Sequence, residues 1–422
     1  MSNSQKRETI LAWSLLTLVS IMYFFANLQK VVVPGSVFNE LQLLLNCDAA
    51  TVTGLGAGFM YAYSINQLSV GILADRYSGT RVIAAGGAIF CIGSLLSAFT
   101  SSAELLMVCR ILTGFGASAV YLSMLKLIFR TAGDSFALVL GVIMLIGYSG
   151  SVVSGAPFVK LVNAFGYSRC MLITGVVTLI CYLLFLLNAY FAKTPPVDKE
   201  VKLNFSTFKS VLSRRHNLHL YMTTGVSFGI FYSMQMTFGK KYMEDYTGIS
   251  STMAGVIMSI TMIISSCNAF LLALLSRLAG NRRLIFMRFC GFGALTGSLM
   301  LLCAVLFKIT AWQLSAAAWI LFSFAGNCAT IQVAMQKETN PANQVGTSLS
   351  IGNCFSYMII AIVGSLTGKL LELYPPQIID GIRIYGRNSY LTVFILLTIL
   401  GCVTAVNSLF LKETYGKNIE VK

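Results

Sequence analysis

Long apolar runs, interrupted by short polar segments, recur from one end of the chain to the other. An α-helix needs about 20 apolar residues to cross the hydrocarbon core of a bilayer, whereas a barrel strand needs about half as many and alternates. The pattern therefore predicts an all-α membrane protein with twelve transmembrane helices. The predicted spans are 10–43, 51–73, 82–100, 104–127, 136–160, 170–191, 218–238, 252–275, 284–307, 313–335, 345–370 and 389–411.

The first predicted span is long enough to contain a break. Pro34 and Gly35 are expected to kink it, which puts Lys30 near the middle of the membrane. The one long polar stretch, Lys193–Arg215, lies between the sixth and seventh runs. We therefore expect an N-terminal six-helix bundle at 1–192, a basic cytoplasmic linker at 193–217 and a C-terminal six-helix bundle at 218–422.

The two halves repeat at an offset of 201 residues around the second and eighth spans. Two related bundles joined by a linker are typical of alternating-access carriers, whose substrate binds near the membrane midplane. The aspartate of the first copy is missing from the second, where Ser276 replaces Asp75. The matching pairs are Gly54 and Gly255, Ser64 and Ser265, Gln67 and Asn268, Arg76 and Arg277, Gly79 and Gly280, and Arg81 and Arg282.

Composition agrees with a bilayer location, since 56% of the residues are hydrophobic, 11% are charged and the mean hydropathy is +0.77. The net charge of +15 does not indicate nucleic-acid binding, because the basic residues are scattered singly at the ends of apolar runs. Most lie in the loops and tails predicted on one side. The positive-inside rule makes that side cytoplasmic, with both termini, and we expect a plasma membrane such as a bacterial inner membrane.

The cysteines and histidines do not indicate a disulfide framework, a metal site or an active site. Ten of the 11 cysteines lie inside apolar runs, Cys47 being the exception, and we expect them to be packing residues. No metal-binding spacing and no nucleophile constellation is seen in the sequence, so we expect no cofactor, no metal and no enzymatic activity.

A charged turn between the second and third spans, Gly71–Ile83, resembles the signature loop of the major facilitator superfamily, Gly-x-Leu-Ala-Asp-Arg-x-Gly-x-Arg. In that family the loop shapes the gate between inward-open and outward-open states. The resemblance therefore implies gating roles for this turn and, through the repeat, for Arg277 and Arg282. The matching residues are Gly71, Leu73, Ala74, Asp75, Arg76 and Arg81, and Gly79 sets the second glycine one place later than usual.

Two further segments are similar to the same family. The fourth span contains Arg110-x-x-x-Gly-x-Gly-Ala, in which the resemblance assigns the arginine to coupling or ion relay. The fifth span has a glycine-rich pattern that ends in Gly155-Ala156-Pro157, a degraded form of the motif that marks drug antiporters. A twelve-helix fold of two pseudo-symmetric bundles follows from the resemblance.

Lys30 and Arg110 are the ionisable residues that the pattern places inside the membrane, where a charge costs about 3 kcal/mol on insertion scales. The alternative to a functional role is a lysine or arginine that binds backbone carbonyls. All acidic residues fall in loops or at span ends, whereas proton-coupled or cation-selective carriers usually have a buried carboxylate. Two central cations without an acid favour an anionic substrate.

Uncharged polar and aromatic side chains in several spans are expected to line a polar cavity with Lys30. Each of them taken alone is more often an interhelical hydrogen bond than a ligand contact. The predicted substrate-binding residues are Lys30, Tyr61, Gln67, Tyr232, Gln235, Asn327, Asn353 and Tyr357.

The sequence thus predicts a secondary active transporter that moves a small polar metabolite, first of all an organic anion, and resembles the organophosphate, anion or bacterial nutrient carriers. Uptake of a neutral or zwitterionic nutrient by proton symport, such as an amino acid or nucleoside, is the alternative, and drug efflux is a third. We expect the partners to be the substrate, the lipid bilayer and either H+ or a counter-transported anion, with no nucleic acid, and the carrier to be a monomer.

Overall fold

The computed structural model describes residues 3–132, 136–192, 205–341 and 344–419, and these residues are mostly helical. The helices of the first half are α1 Asn3–Val31, α2 Phe38–Leu45, α3 Ala49–Tyr77, α4 Gly79–Leu96, α5 Ala103–Ala132, α6 Phe136–Val153, α7 Ala156–Phe165, α8 Tyr167–Phe191 and α9 Phe205–Ser213. Those of the second half are α10 Arg215–Ser233, α11 Gly239–Thr247, α12 Ser251–Leu278, α13 Leu284–Leu306, α14 Trp312–Gly326, α15 Ala329–Thr339, α16 Val345–Leu371 and α17 Arg387–Leu409. Two short strands, β1 Gln377–Ile379 and β2 Ile382–Ile384, precede α17.

Each predicted span coincides with one of these helices or with two consecutive ones. Within the described ranges, nine helices are long and apolar enough to cross a membrane, or eleven when two bent pairs are counted as single spans. The bent pairs are α2 with α3, at 113°, and α6 with α7, at 47°. The seventh span, α10, continues through a π-helical turn at Met234–Phe238 into α11, about two helical turns beyond its predicted end.

Two of the breaks occur where the sequence supplies residues that cannot continue a helix. The π-helical turn at Val32–Ser36 contains Pro34 and Gly35, as expected for the kink in the first span. The break between α6 and α7 comes at Gly155, and Pro157 sits in the first turn of α7, where its missing N–H costs nothing. The fifth span, predicted as one helix, is therefore two.

The contacts divide the chain into two compact units. Unit 1 comprises Met1–Val32 and Gly58–Leu203, and unit 2 comprises Val33–Ala57 and Asn204–Lys422. The end of the first span and the start of the second, Val33–Ala57, thus group with the second half, a division that the sequence boundaries did not include. Of the predicted linker at 193–217, the residues up to 204 lie outside the described ranges, and α9 follows them.

Each unit has its own apolar core, and small residues let its helices approach closely. In unit 1, Leu16, Met124 and Phe185 belong to a cluster that joins α1, α5 and α8. A Cβ atom placed on Gly93 of α4 would lie 2.8 Å from the carbonyl oxygen of Cys109 in α5. Such backbone contact replaces the hydrophobic driving force that is lacking between helices in lipid.

The strands form an antiparallel hairpin in which Gln377 pairs with Ile384 and Ile379 pairs with Ile382. Its turn consists of Asp380 and Gly381, at φ of +51° and +79°, which are residue types that tolerate left-handed backbone. Within unit 2, α2 packs against β2. The pattern of apolar and polar residues did not predict a strand here.

Candidate functional site

Lys30 lies in the last turn of α1, where the first membrane-spanning helix leaves helical geometry. Its side chain is 5% exposed, and Val33 in the following turn has φ −107° and ψ 109°. A break of this kind frees backbone polar groups from helical hydrogen bonds, which makes the region polar in otherwise apolar surroundings. Lys30 is therefore placed beside the kink, as predicted, and its role in binding stays a prediction.

Arg110 joins α5 to α1 and α3 within unit 1. Its Nη1 donates a hydrogen bond to the carbonyl oxygen of Gln29 at 3.1 Å, and its guanidinium carbon lies 4.5 Å from the centre of the Phe59 ring. The side chain is 2% exposed. A planar guanidinium can stack its face on a ring while its edge donates hydrogen bonds, whereas an ammonium group has no planar face to stack. Arg110 thereby holds the backbone next to Lys30, and the coupling role implied by resemblance stays a prediction.

Gln29 connects α1 to α4 at the same level. Its Nε2 donates a hydrogen bond to the hydroxyl of Ser94, while its backbone carbonyl accepts from Arg110. Its Oε1 is buried and has no hydrogen-bond partner among the described residues. An unsatisfied buried amide oxygen costs free energy unless a ligand or water pairs with it, so this atom is an open acceptor beside Lys30.

One face of α3 carries Phe59, Tyr63 and Gln67, which are spaced four residues apart and therefore lie above one another. The rings of Phe59 and Tyr63 stack with centres 6.0 Å apart. Gln67 is 1% exposed, and neither of its amide atoms has a hydrogen-bond partner in the part of the chain that the structure describes. Tyr61 is half-buried on a different side of the helix. The Phe59–Gln67 face is therefore aromatic with a polar end.

In both halves an asparagine side chain donates a hydrogen bond to a backbone carbonyl of a neighbouring helix. Gln67 does not take part in this contact, which leaves its amide open. Asn66 donates to the carbonyl of Phe115 at 3.0 Å, and Asn268 donates to the carbonyl of Phe324 at 2.7 Å. The two asparagines that make this contact lie 202 positions apart, one more than the repeat offset of 201. The structural equivalent of Asn268 is therefore Asn66, and not Gln67 as the repeat predicted. Gln67 has no counterpart in this helix-joining role.

In unit 2 the predicted residues Tyr232 and Tyr357 are joined by Phe228. The Phe228 ring lies 4.2 Å from that of Tyr232 and 5.7 Å, edge-on, from that of Tyr357. Tyr232 is 3% exposed, and Asn353, one turn before Tyr357 on α16, is half-buried. These contacts join two of the predicted binding residues of unit 2 in an aromatic cluster of α10 and α16, and Asn353 lies one turn away along α16.

Gln235 and Asn327 are instead occupied in holding broken helices together. Gln235, in the π-helical turn after α10, donates to the carbonyl of Met258 at 3.1 Å and accepts from Thr261 at 2.9 Å. Asn327, between α14 and α15, donates to the carbonyl of Ser265 at 2.8 Å. Substrate binding by either side chain stays a prediction, and it would require these bonds to be exchanged.

The turn between α3 and α4 consists of one residue, Ser78, at φ +78°. Gly79 follows with its Cα so close to α5 that an added Cβ would lie 2.8 Å from the carbonyl oxygen of Ser123. This contact explains why the second glycine is shifted: it is required for packing, not for a positive φ. Arg81 is exposed. Side chains of the predicted gating residues Gly71, Asp75 and Arg76 lie outside the described residues.

In the second copy of the turn, the predicted gating residues Arg277 and Arg282 are both exposed. The neighbouring Arg283 makes the contacts, donating to the Ser276 hydroxyl at 2.8 Å and pairing with Glu338 at 3.0 Å. The serine that replaces the aspartate is thus the hydrogen-bond partner of an arginine that the repeat did not single out. The sequence shows two adjacent arginines here, Arg282 and Arg283, but it does not show which of them makes the contacts.

Two lysines at the C-terminal end of the seventh span are buried and pair with two acids whose side chains are 10% and 3% exposed, although the pattern of apolar runs predicts a loop or a span end for all four. Lys240 pairs with Glu244 at 2.8 Å, and Lys241 pairs with Asp245 at 2.9 Å. Both lysines are 1% exposed. The sequence feature that could have predicted this burial is the spacing. Each lysine lies four residues before an acid, so the two can pair along one side of a helix and neutralise each other's charge.

Membrane-length helices in two units, each with buried polar groups on its broken helices, define a polytopic membrane protein of the transporter class. The model of the Major Facilitator Superfamily matches residues 12–365. The chain therefore belongs to the major facilitator superfamily, and its fold class is the one predicted.

Similarity to individual proteins is weaker. The chain is 25% identical over 169 residues to the 4-hydroxybenzoate transporter PcaK of Pseudomonas aeruginosa, a match that covers 40% of this chain and 38% of that relative. Among solved structures, a bacterial homologue of the human lysosomal transporter Spinster superposes with a TM-score of 0.72 at 15% identity, covering 97% of this chain and 98% of that one. The nucleoside transporter NupG superposes with a TM-score of 0.70 at 16% identity, covering 94% and 98%. These structures share the fold.

Proposed function

We propose that this carrier moves a small organic anion across the membrane by alternating access, and that the anion is a carboxylate with an aromatic body. The observation that carries the proposal is Lys30, a buried cation beside a helix break, with the open amide oxygen of Gln29 next to it in sequence. A carboxylate would pair with the ammonium group, while a hydroxyl group of the substrate would donate to an amide oxygen.

The sequence supports a positive site because the acids of unit 1 fall in loops or near the ends of its spans. No Asp or Glu occurs between Glu8 and Glu40, between Glu104 and Asp134, or between Asp134 and Asp198. On the helices that carry Lys30 and Arg110, the acids in the sequence are Glu8 and Glu104, which lie near the start of α1 and in the first turn of α5. A cationic substrate would gain nothing from such a site.

The aromatic body of the substrate is suggested by two observations. Phe59 and Tyr63 present stacked rings along α3, and the Phe59 ring touches the arginine that holds the Lys30 turn. Aromatic pairs contribute about 0.5–1.5 kcal/mol beyond the area they bury. The weak relative PcaK is named for an aromatic acid, which agrees with this substrate class.

Arg110 would act as a positioning residue in this mechanism. It fixes the carbonyl of Gln29, so the turn that follows, and with it Lys30, keeps one orientation while the rest of the carrier moves. We also propose that the protein works as a monomer in a plasma membrane with both termini in the cytoplasm, because most of its basic residues lie in the loops predicted on that side.

The proposal is tested by counterflow in proteoliposomes with labelled 4-hydroxybenzoate, a labelled sugar phosphate and a labelled nucleoside. Lys30→Met should weaken the apparent affinity for the transported anion by about 10- to 100-fold, the contribution of one charge-assisted bond. Lys160→Met, which removes an exposed lysine on α7, is the matched control and should leave counterflow unchanged. Nucleoside counterflow that does not depend on Lys30 would overturn the anion proposal.

A neutral nutrient such as a nucleoside is the second candidate, and the amide of Gln67 favours it. Both donor and acceptor of this buried side chain lack partners among the described residues, and two stacked rings lie along the same face. A neutral heterocycle would use the amide and the rings without using Lys30. Gln67→Leu should then abolish transport while Lys30→Met has little effect, which is the reverse of the result expected for an anion.

A further inference from the structure

The outer ends of the first two spans, residues 33–57, are fastened to the rest of unit 2 by a set of polar contacts, which we call the outer clasp. Its members are Asn39 and Gln42 on α2, Ala49 at the start of α3, Glu244 on α11, Glu372 after α16, and Tyr385 after β2. Gln42 and the Ala49 N–H both donate to the Tyr385 hydroxyl at 3.1 Å. Asn39 donates to Glu244 at 2.8 Å.

Glu372 is the central acceptor of the outer clasp. Its Oε1 accepts a hydrogen bond from the Ala49 N–H at 2.7 Å and another from the Tyr385 hydroxyl. The Ala49 N–H opens α3, and an ionised carboxylate at a helix N-terminus is stabilised by the helix dipole as well as by the hydrogen bond. The Tyr385 hydroxyl can accept from α2 and α3 because it donates its own proton to Glu372. One carboxylate therefore holds two helix ends.

A second acid fixes the position of Tyr385 from the other side. Asp245 accepts from the backbone N–H of Tyr385 at 3.0 Å and from the Tyr390 hydroxyl at 2.8 Å. Lys241, which pairs with Asp245, also donates to the carbonyl of Arg383 at 2.6 Å. This pair is sealed, since the side chain of Asp245 is 3% exposed. It anchors the segment on which the outer clasp closes.

The charged and titratable groups that face Glu372 are Arg383, Tyr385, Cys47 and Asp48. The Arg383 guanidinium lies 3.9 Å from Oε2 and Tyr385 donates to Oε1. Burial first, and then the carboxylates of Asp48 and Glu372, raise the pKa of the Cys47 thiol to about 11 against the opposing effect of Arg383. The Glu372 side chain is 21% exposed, so that water reaches it, in contrast with sealed Asp245.

We propose that Glu372 is the proton-binding group of this carrier and that its protonation releases residues 33–57 from unit 2. A protonated carboxyl group loses the negative charge at the start of α3 and its attraction to Arg383, and the two hydrogen bonds that Oε1 accepts become weaker, neutral ones. The outer clasp then loses its charge-assisted bonds. The proposal rests on the transport function above and identifies its coupling ion as H+, taken up at the outer end and not at mid-membrane.

The closing of the outer clasp also depends on one glycine. Gly368 of α16 lies against the start of α3, where an added Cβ would be 2.8 Å from the Cα of Ala50 and would overlap the Thr53 hydroxyl. Gly368→Ala is therefore expected to separate these segments by steric overlap without any change of charge. It provides an opening control that does not depend on pH.

The native thiol of Cys47 reports the opening, because it is half-buried at the outer clasp and lies outside the apolar helices. We would measure its alkylation by a membrane-impermeant maleimide at pH 7.5. Glu372→Gln should label about tenfold faster than the wild type, the effect expected for one charge-assisted bond. Gly368→Ala should also label faster. Asp48→Asn is the matched control: it removes a charge that also raises the pKa of the thiol but keeps an N-terminal cap for α3, and it should label more slowly than Glu372→Gln.

The ratio of the Glu372→Gln rate to the wild-type rate should fall towards one as the pH is lowered, because a bound proton would give the wild type the neutral side chain that the variant already has. Acid slows all thiol alkylation, which is why the ratio is compared. Equal rates for the wild type and Glu372→Gln at pH 7.5, or an Asp48→Asn rate as fast as that of Glu372→Gln, would overturn the proposal. So would a Gly368→Ala rate equal to that of the wild type.

A transport assay provides the second test of the role proposed for Glu372. An acid-outside pH gradient should stimulate net uptake of labelled 4-hydroxybenzoate by the wild type, whereas Glu372→Gln should keep exchange counterflow and lose the stimulation. Uptake by the wild type that ignores the gradient, or a variant that responds to it fully, would overturn the coupling role. The labelling arm uses no substrate, so a failure of the organic-anion proposal leaves it as an independent test of the outer clasp.

Discussion

The stacking of Arg110 on Phe59 provides a quantitative test of whether this arginine acts as a clamp. The guanidinium is 2% exposed, lies 4.5 Å from the ring centre and donates to the Gln29 carbonyl at 3.1 Å. Arg110→Lys keeps the charge but loses the planar group that makes both contacts. Phe59→Leu keeps the apolar volume and loses the ring.

The expected magnitude follows from those contacts. A desolvated cation–π pair contributes about 2 kcal/mol, and a hydrogen bond from a charged donor contributes about 1.5–3 kcal/mol. Arg110→Lys should retain part of the hydrogen bond, so we expect it to lower the free energy of unfolding by about 2–3 kcal/mol. In the double-mutant cycle, Arg110 and Phe59 should show a coupling energy of about 1–2 kcal/mol.

The assay is denaturant unfolding of the purified protein in detergent for the wild type, both single variants and the double variant, with counterflow measured on the same samples. A coupling energy below about 0.5 kcal/mol, within the additivity of independent sites, would refute the clamp. Full stability of Arg110→Lys together with complete loss of transport would also refute it, and would favour the ion-relay role implied by the family resemblance.

Three further predictions concern stability, each measured by thermal unfolding in detergent. Gly116→Ala should destabilise by about 1–3 kcal/mol because its Cβ would lie 2.5 Å from the carbonyl oxygen of Gly86, whereas Gly141→Ala, with nothing within 4 Å, should be neutral or stabilising. Arg283→Ala should cost about 1–3 kcal/mol and the exposed Arg282→Ala less than about 0.5, and the reverse order would contradict the assignment. Burial lowers the pKa of His216 from 6.5 to about 4, so the folded state resists protonation of this side chain. The free energy of unfolding should therefore fall as the pH drops from 6.5 towards 4. An equal fall in His216→Asn would contradict this assignment.

Much of the fold could be predicted from the sequence, because a bilayer demands apolar runs of one length. The predicted spans and the kink at Pro34 were found for this reason. The outer hairpin was missed, since Ile378 and Ile379 are exposed and do not alternate with polar residues as a half-buried strand would. The grouping of Val33–Ala57 with unit 2 could not be predicted either, because it depends on contacts more than 300 residues apart, such as that of Ala49 with Glu372.

The candidate site was predicted in part. Lys30 and Arg110 stood out because an ionisable residue inside an apolar run is rare, and both are buried in the structure. Polar residue type alone could not distinguish Gln67, whose amide is open among the described residues, from Gln235, whose amide is fully used. That distinction is made by neighbours on other helices, which a single sequence does not reveal.

The β1–β2 hairpin also has a practical consequence. A carrier of 45.8 kDa that is mostly embedded in detergent or lipid offers few rigid features for particle alignment in electron cryomicroscopy. The hairpin, with Ile378 70% and Ile379 51% exposed, presents an accessible epitope. A nanobody raised against it would supply a fiducial mark and, because the epitope adjoins Tyr385, would also select particles by conformational state.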